Sequence, residues 1–272
     1  MISVVILTKN EADDITNAIR SVASISDDIH VFDSHSTDGT QEIAQSLGAH
    51  VSERTFDTYA AQRNASLALP FQHEWVLVLD ADERVTPELA SEISRVTQIA
   101  AADIGAFRIR RRDFLWGTWL KHAQITLFYI RLMRRGHARY VREINELVEV
   151  DGRVVELTAS FDHFPFSKGI THWIGKHNSY STGEAKLLAT GAAVQDASFK
   201  TALFHKDRQS RRAAQKAIFY RLPMRPLFKW CYMVFWRGAI LDGHAGLTYA
   251  TLQSIYEYFI ELKRREIERG RP

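Results

Sequence analysis

Cysteine is almost missing from this chain. Among 272 residues Cys231 stands alone, which excludes an internal disulfide framework and suits a reducing compartment such as the cytoplasm. Long apolar runs are missing too. The longest late one, Trp230-Cys231-Tyr232-Met233-Val234-Phe235-Trp236, falls far short of the ~18 apolar residues of a membrane span. Ile2 already opens what reads as a core strand, so no secretory signal is expected. No Gly-x-Gly-x-x-Gly follows that strand and no Gly-Lys-Ser/Thr loop occurs, which argues against dinucleotide and P-loop sites. Repeats and low-complexity linkers are absent as well. A chain of this length buries a full core in one large domain with an appendage.

What the sequence does contain is a series of strands that end in acidic loops. Trp75-Val76-Leu77-Val78-Leu79 is a buried β-strand by its apolar run, and Asp80-Ala81-Asp82-Glu83 sits at its carboxyl tip. Open α/β sheets bind ligands at that edge. Two carboxylates one residue apart can serve one hard cation, Mg²⁺ or Mn²⁺, with phosphate oxygens in the other positions. The alternative is an acidic start to the next helix, where Thr86-Pro87-Glu88 reads as an N-cap followed by proline. Ile2 to Leu7 forms another strand, breaks into Thr8-Lys9-Asn10-Glu11, and leads into a helix through Ile15, Ala18, Ile19 and Val22. A third strand, Ile29 to Phe32, ends in Asp33-Ser34-His35-Ser36-Thr37-Asp38-Gly39-Thr40. Strands alternating with helices predict a doubly wound, mostly parallel α/β sheet. Its polar loops would converge on one edge, which fits a nucleotide with its diphosphate and metal.

The order Leu7-Thr8-Lys9-Asn10-Glu11, then Asp33 to Thr40, then Gln62-Arg63-Asn64, then Leu79-Asp80-Ala81-Asp82-Glu83 resembles the family 2 glycosyltransferases with the GT-A fold. Within them it is most similar to the bacterial lipopolysaccharide-core β-1,4-glucosyltransferases. The resemblance covers roughly residues 1–190 and departs at His35, where the family usually carries Gly. It implies inverting sugar transfer from a nucleotide-activated donor, with Thr8, Asn10, Glu11, Asp33, Asp38, Arg63 and Asp80 on the nucleotide side and Asp80 and Asp82 on the metal. An inverting transfer needs one carboxylate to take the acceptor hydroxyl proton. By resemblance Ile144-Asn145-Glu146, followed by Asp151-Gly152, places that base at Glu146, with Asn145 where the family has His. Glu143 is the rival, and a salt-bridged surface Glu is the plainer reading. A lone His163 is usually a hydrogen-bonded core residue; the resemblance makes it a third metal ligand. Lys176 and Tyr180, four apart on a helix face, would bind a diphosphate or pair with acids of the sheet domain.

Charge is lopsided. From Lys200 to Leu241 ten Lys/Arg residues face one acid, Asp207, and aromatics are interleaved with them. Three readings are open: a packing appendage with solvated charges, a nucleic-acid surface, for which no motif speaks, and interfacial helices on an anionic membrane. The third is favoured, with Arg208, Arg211, Arg212 and Lys216 on headgroups and Trp230 and Trp236 at the interface. The expectation is a catalytic domain over 1–190 and a helical, amphipathic, membrane-associating region over 191–272. The protein would be peripheral to the cytoplasmic face of the inner membrane, with a lipid-linked glycan as acceptor and no nucleic-acid partner. The other functional readings are a sugar-phosphate nucleotidyltransferase, although its Gly-rich triphosphate loop is absent, and a non-catalytic membrane-surface scaffold. Leu241-Asp242-Gly243-His244-Ala245-Gly246 reads as a helix-breaking turn, with no role assigned.

Overall fold

The computed structural model describes residues 1–141, 147–190, 198–204 and 208–270. The chain divides into two compact units, residues 1–119 with 124–168, and residues 120–123 with 169–272. The expected break at 190 moves ahead of the helix that follows Lys168, because that helix packs along the last one.

In the first unit, β1 (Ser3–Thr8), β2 (Asp28–Asp33), β3 (His50–Glu53) and β4 (Trp75–Asp80) pair in parallel in the order β3-β2-β1-β4. Their links carry α1 (Ala12–Val22), α2 (Thr40–Ser46) and α3 (Tyr59–Ser66). Period-two alternation sends Val4, Ile6, Leu77 and Leu79 to one face, against Ile15 and Ile19 of α1 and Leu89 and Ile93 of α4 (Pro87–Ile99). Val5, Val76 and Val78 go to the other face, against Ala60 of α3. Both faces are therefore covered, which is why these strands read as unbroken apolar runs.

Beyond β4 the directions mix. After the three-residue β5 (Glu83–Val85), β6 (Ile104–Leu115) is followed by β7 (Thr118–Trp119), β8 (Phe128–Arg134), β9 (Ala138–Val141), β10 (Leu147–Val150) and β11 (Arg153–His163). Strand β8 lies antiparallel between β4 and β6, β11 runs parallel to β6, and β5 closes the edge antiparallel to the end of β11. Strands β9 and β10 pair separately. The Asp151-Gly152 turn is confirmed at a crowded point. Gly152 has φ +107°, and a Cβ there would lie 2.7 Å from the Asp103 carbonyl oxygen, so only glycine fits without a backbone shift.

The second unit is helical among its described residues: α5 (Gly169–Ala189), α6 (Phe199–Phe204), α7 (Arg208–Arg221), α8 (Arg225–Cys231), a π-helical turn over Tyr232–Trp236, a 3-10 turn over Ala239–Asp242, and α9 (Gly243–Glu268). Leu188, Tyr220 and Ile260 form its buried cluster. Lys263 of α9 donates to the Asn178 carbonyl, the Ser181 hydroxyl and the Thr182 hydroxyl of α5 at 2.5 to 2.8 Å. The expected turn at 241–246 falls slightly earlier, between Gly238 (φ 79°) and Gly243 (φ 64°). Asp242 acquires a role there: its carboxylate accepts from the backbone N–H of His122 and Ala123 at 2.8 and 2.7 Å and lies 2.6 Å from His122 Nδ1. Among the described residues no helix is long and apolar enough to cross a membrane.

Candidate functional site

Strand register assembles the acidic edge. Strand β4 ends at Asp80, and the chain turns through Ala81 and Asp82 into β5, whose antiparallel pairing sets Glu83 opposite His163 at the end of β11. The backbone N–H of Phe164 donates to the Asp82 carbonyl at 2.9 Å. His163 Nε2 thereby comes within 3.4 Å of Asp82 Oδ2. Parallel pairing of β11 with β6 puts Asp113 beside the same imidazole, and Asp113 Oδ1 lies 2.7 Å from His163 Nδ1. Arg111 Nε in turn lies 2.7 Å from Asp113 Oδ1. Burial and Arg111 both oppose protonation of His163, but Asp82 and Asp113 outweigh them and raise its pKa to about 9.

Asp80 is placed differently from Asp82. Arg63 of α3 donates to both its oxygens, at 2.8 and 3.1 Å, and Arg131 of β8 donates to Oδ2 at 2.8 Å. Arg131 also donates to Glu83 Oε1 at 2.5 Å, and Glu83 Oε2 accepts the Asp80 backbone N–H at 3.0 Å. Glu83 is fully buried. That burial pushes its carboxyl upward while the Arg131 charge opposes the shift. Burial likewise works against the Arg131 charge, yet Glu83 and Asp80 hold its guanidinium well above the ordinary value. Asp80 is thus embedded in a carboxylate–guanidinium network that orients it, while Asp82 and His163 form a neighbouring pair.

The donor chemistry of that pair suits a Mg²⁺ or Mn²⁺ ion, with one carboxylate oxygen and one imidazole nitrogen whose partner nitrogen is fixed by a carboxylate. Among the described residues no group of three or more His, Cys, Asp or Glu is arranged to hold a metal. Such an ion would take its remaining ligands from a bound diphosphate and water.

Next to this edge the loops after β1 and β2 lock together. Register sets Thr8 opposite Asp33, and the Thr8 hydroxyl donates to Asp33 Oδ2 at 2.6 Å. Asp33 also accepts from the Ser36 N–H, the Ser36 hydroxyl and Gln41 Nε2 at 2.6 to 2.9 Å. Burial alone would raise its pKa, but these bonds hold it below the ordinary value. Asn10 Oδ1 accepts the Thr37 N–H at 2.8 Å, and Asp38 accepts the Ala12 N–H at 3.0 Å. Asn10 and His35 both take left-handed backbone, at φ 55° and 60°. His35 thus holds a conformation that glycine adopts at lower cost, and His is among the non-glycine types that tolerate it best. Glu11 pairs with Lys168 at 2.6 Å, and burial, the dominant influence, raises its pKa to about 7.

Asn64, beside Arg63 on α3, holds β9 by a reciprocal pair: its Nδ2 donates to the Tyr140 carbonyl and its Oδ1 accepts the Tyr140 N–H, each at 2.8 Å. The chain then enters Arg142 to Glu146. The candidate base Glu146 and its rival Glu143 lie outside the described residues. Lys176 and Tyr180 belong to α5 of the second unit, where the Lys176 ammonium sits 5.9 Å from the Tyr180 ring centroid. Arg208, Arg212 and Lys216 lie on α7 with side chains outside the described ones, and Arg211 is half-buried. Trp230 donates to the Thr251 hydroxyl of α9 at 3.2 Å, while Trp236 stands exposed. Sequence reasoning named Glu83 only as part of its motif and missed Asp113, Arg111, Arg131 and Lys168. Asp113, Arg111 and Arg131 announce themselves only through the pairing of strands distant in sequence, and Lys168 only through its ion pair with Glu11.

Comparison with known proteins places this geometry in a family. Residues 3–151 match the model of glycosyl transferase family 2. An uncharacterised glycosyltransferase of Rickettsia prowazekii is 41% identical over 199 residues, 69% of this chain and 68% of that protein. The lipopolysaccharide core biosynthesis glycosyltransferase LpsC of Rhizobium meliloti is 26% identical over 284 residues, spanning 100% of this chain and 95% of that one. Among solved structures, the mannosyltransferase PcManGT of Pyrobaculum calidifontis, in complex with GDP-Man and Mn²⁺, superposes with a TM-score of 0.50 at 13% identity over 97% of this chain and 86% of its own. The parallel β3-β2-β1-β4 half, the acidic tip of β4 and the matched family model together establish that the chain belongs to glycosyl transferase family 2, with a GT-A-like mixed α/β fold.

Proposed function

We propose that this chain transfers a sugar, with inversion, from a nucleoside-diphosphate donor to a lipid-linked glycan such as a lipopolysaccharide core or a polysaccharide precursor, as a peripheral protein of the cytoplasmic membrane face. UDP-sugars are the first donors to test. The observation that carries the reading is the Asp82–His163–Asp113 array beside an Asp80 already neutralised by Arg63 and Arg131. The family supports glycosyl transfer over nucleotidyl transfer. Similarity along the whole chain to LpsC supports the acceptor class.

In this reading Asp82 and His163 hold Mg²⁺ or Mn²⁺, and Asp113 fixes the His163 ring. When bound, the ion supplies Lewis-acid stabilisation to the leaving diphosphate. Asp33 shapes the nucleotide loop through Thr8 and Ser36 and does not spend a free oxygen on it. Asp80, held by Arg63 and Arg131, adds no uncompensated negative charge to the edge that receives the diphosphate. Glu146 takes the proton of the acceptor hydroxyl as that oxygen attacks the anomeric carbon.

A panel of UDP- and GDP-sugars with Mg²⁺ or Mn²⁺, read by release of nucleoside diphosphate and by calorimetric donor binding, tests the proposal. Asp82→Asn should lose metal-dependent donor binding while keeping the wild-type circular dichroism spectrum. Glu146→Gln should bind donor like wild type but turn over about a hundredfold more slowly, the scale of a lost general base. Full activity of Asp82→Asn would overturn the metal assignment. A dead Glu143→Gln with an active Glu146→Gln would move the base.

A further inference from the structure

Helix α8 and the π-turn after it carry their polarity inside out. Arg225 is only 2% exposed, with its guanidinium 5.0 Å from the Tyr220 ring centroid and 3.9 Å from Glu257 of α9. Lys229 also turns toward Glu257, at 3.8 Å, and Met233 and Val234 complete the buried side. The opposite side is apolar. Leu227, Phe228, Tyr232, Phe235 and Trp236 recur at helical spacing and are all exposed, Phe235 at 68% and Trp236 at 83%. Past Gly238 the 3-10 turn adds Leu241 at 73%. A helix on a water-soluble body turns its apolar stripe inward and its charges outward. Scattered exposed apolar residues are ordinary, but a continuous stripe marks a surface with a partner.

We propose that this stripe and the Leu241 turn dock the protein on an anionic lipid bilayer. Two observations favour lipid over a second copy or a protein groove. From Arg208 to Leu241 the chain contains no acidic residue, while α7 alone contributes Arg208, Arg211, Arg212, Lys216 and Arg221, a charge balance that complements anionic headgroups. The most exposed side chain of the stripe, Trp236, is an aromatic of the type that settles at headgroup depth, and Phe235 lies beside it. Trp230, bonded to Thr251 of α9, belongs to the packed side, so the interfacial tryptophan is Trp236. The inference deepens the proposed function, resting on its lipid-linked acceptor: vesicle binding tests the docking surface, and transfer to a soluble acceptor analogue tests the activity.

The test is co-sedimentation of the full chain with phosphatidylglycerol-containing vesicles and with pure phosphatidylcholine vesicles, together with quenching of tryptophan fluorescence by brominated acyl chains. Wild type should bind the anionic vesicles more tightly. Phe235→Ser/Trp236→Ser/Leu241→Ser should lose at least about tenfold in affinity while still transferring sugar to a soluble acceptor analogue. Trp236→Phe, a change that keeps the fold, should remove more of the quenching than Trp230→Phe. Failure of wild type to bind anionic vesicles at low salt would overturn the inference. So would equal binding by the triple variant, or a wild-type dimer that the triple variant splits while neither binds lipid. Loss of transfer with vesicle binding intact would instead overturn the proposed function.

Discussion

Glu11 ionises against its surroundings. Burial lifts its pKa from 4.5 to about 7 despite the opposing Lys168, so the folded chain holds a proton that the unfolded chain has already lost. Ionisation therefore costs stability as pH rises from 4.5 to about 7, and the cost is complete above that. At about 1.4 kcal/mol per pKa unit the ceiling is roughly 3 kcal/mol. Glu11→Gln should gain stability over wild type as pH is raised from about 5 to about 8, read by urea unfolding at both values; a constant gap would refute the buried-charge account. Arg131 poses the reverse case. It compensates both Asp80 and Glu83, so Arg131→Met should destabilise by about 3–5 kcal/mol, the cost of stranding a buried charge. Adding Glu83→Gln should recover part of that loss in the same denaturation assay. Asp82 was legible in the sequence because it sits just past an apolar run. Arg131 was not, because a charged residue inside a strand looks like a solvated one until its neighbours are known.

Strand pairing explains which elements could be read ahead. The strands β1, β2 and β4 are buried on both faces and declare themselves as apolar runs, whereas β6 contains Arg108, Arg110, Arg111, Arg112 and Asp113. Its charges are accommodated by partners on β11 and β8, such as Glu156 for Arg108 and Asp162 for Arg112, which no local pattern encodes. The three-residue β5 was hidden in the same way: Glu83 to Val85 looks like the approach to a helix, and only the end of β11 makes it a strand. Strand β9 is held to α3 by the Asn64 amide together with the Arg63 guanidinium, 5.5 Å from the Tyr140 ring centroid. Asn64→Ala would remove both hydrogen bonds to the Tyr140 backbone, a penalty of about 1–3 kcal/mol. Amide exchange over 138–141 and 147–150 should then accelerate while β1 stays protected. Unchanged exchange in β9 would show that the pairing with β10 suffices.

Two compact units with different surfaces make up the chain. The first follows the soluble pattern, with a covered sheet and a polar edge; the second leaves aromatic side chains in water along α8 and the following turn. The sequence conveyed the basic and aromatic content of that region but not its arrangement, since the aromatics would serve equally well turned inward. On the side that takes the packed position, Arg225 and Lys229 lie 3.9 and 3.8 Å from Glu257 of α9, next to buried Met233 and Val234.

The exposed stripe belongs to the folded state, so self-association of the purified protein through it would need no prior unfolding. Light scattering should climb with protein concentration and with kosmotropic salt well below the melting transition, because such salts strengthen burial of exposed apolar surface. A mild detergent should clear the solution without shifting the transition itself.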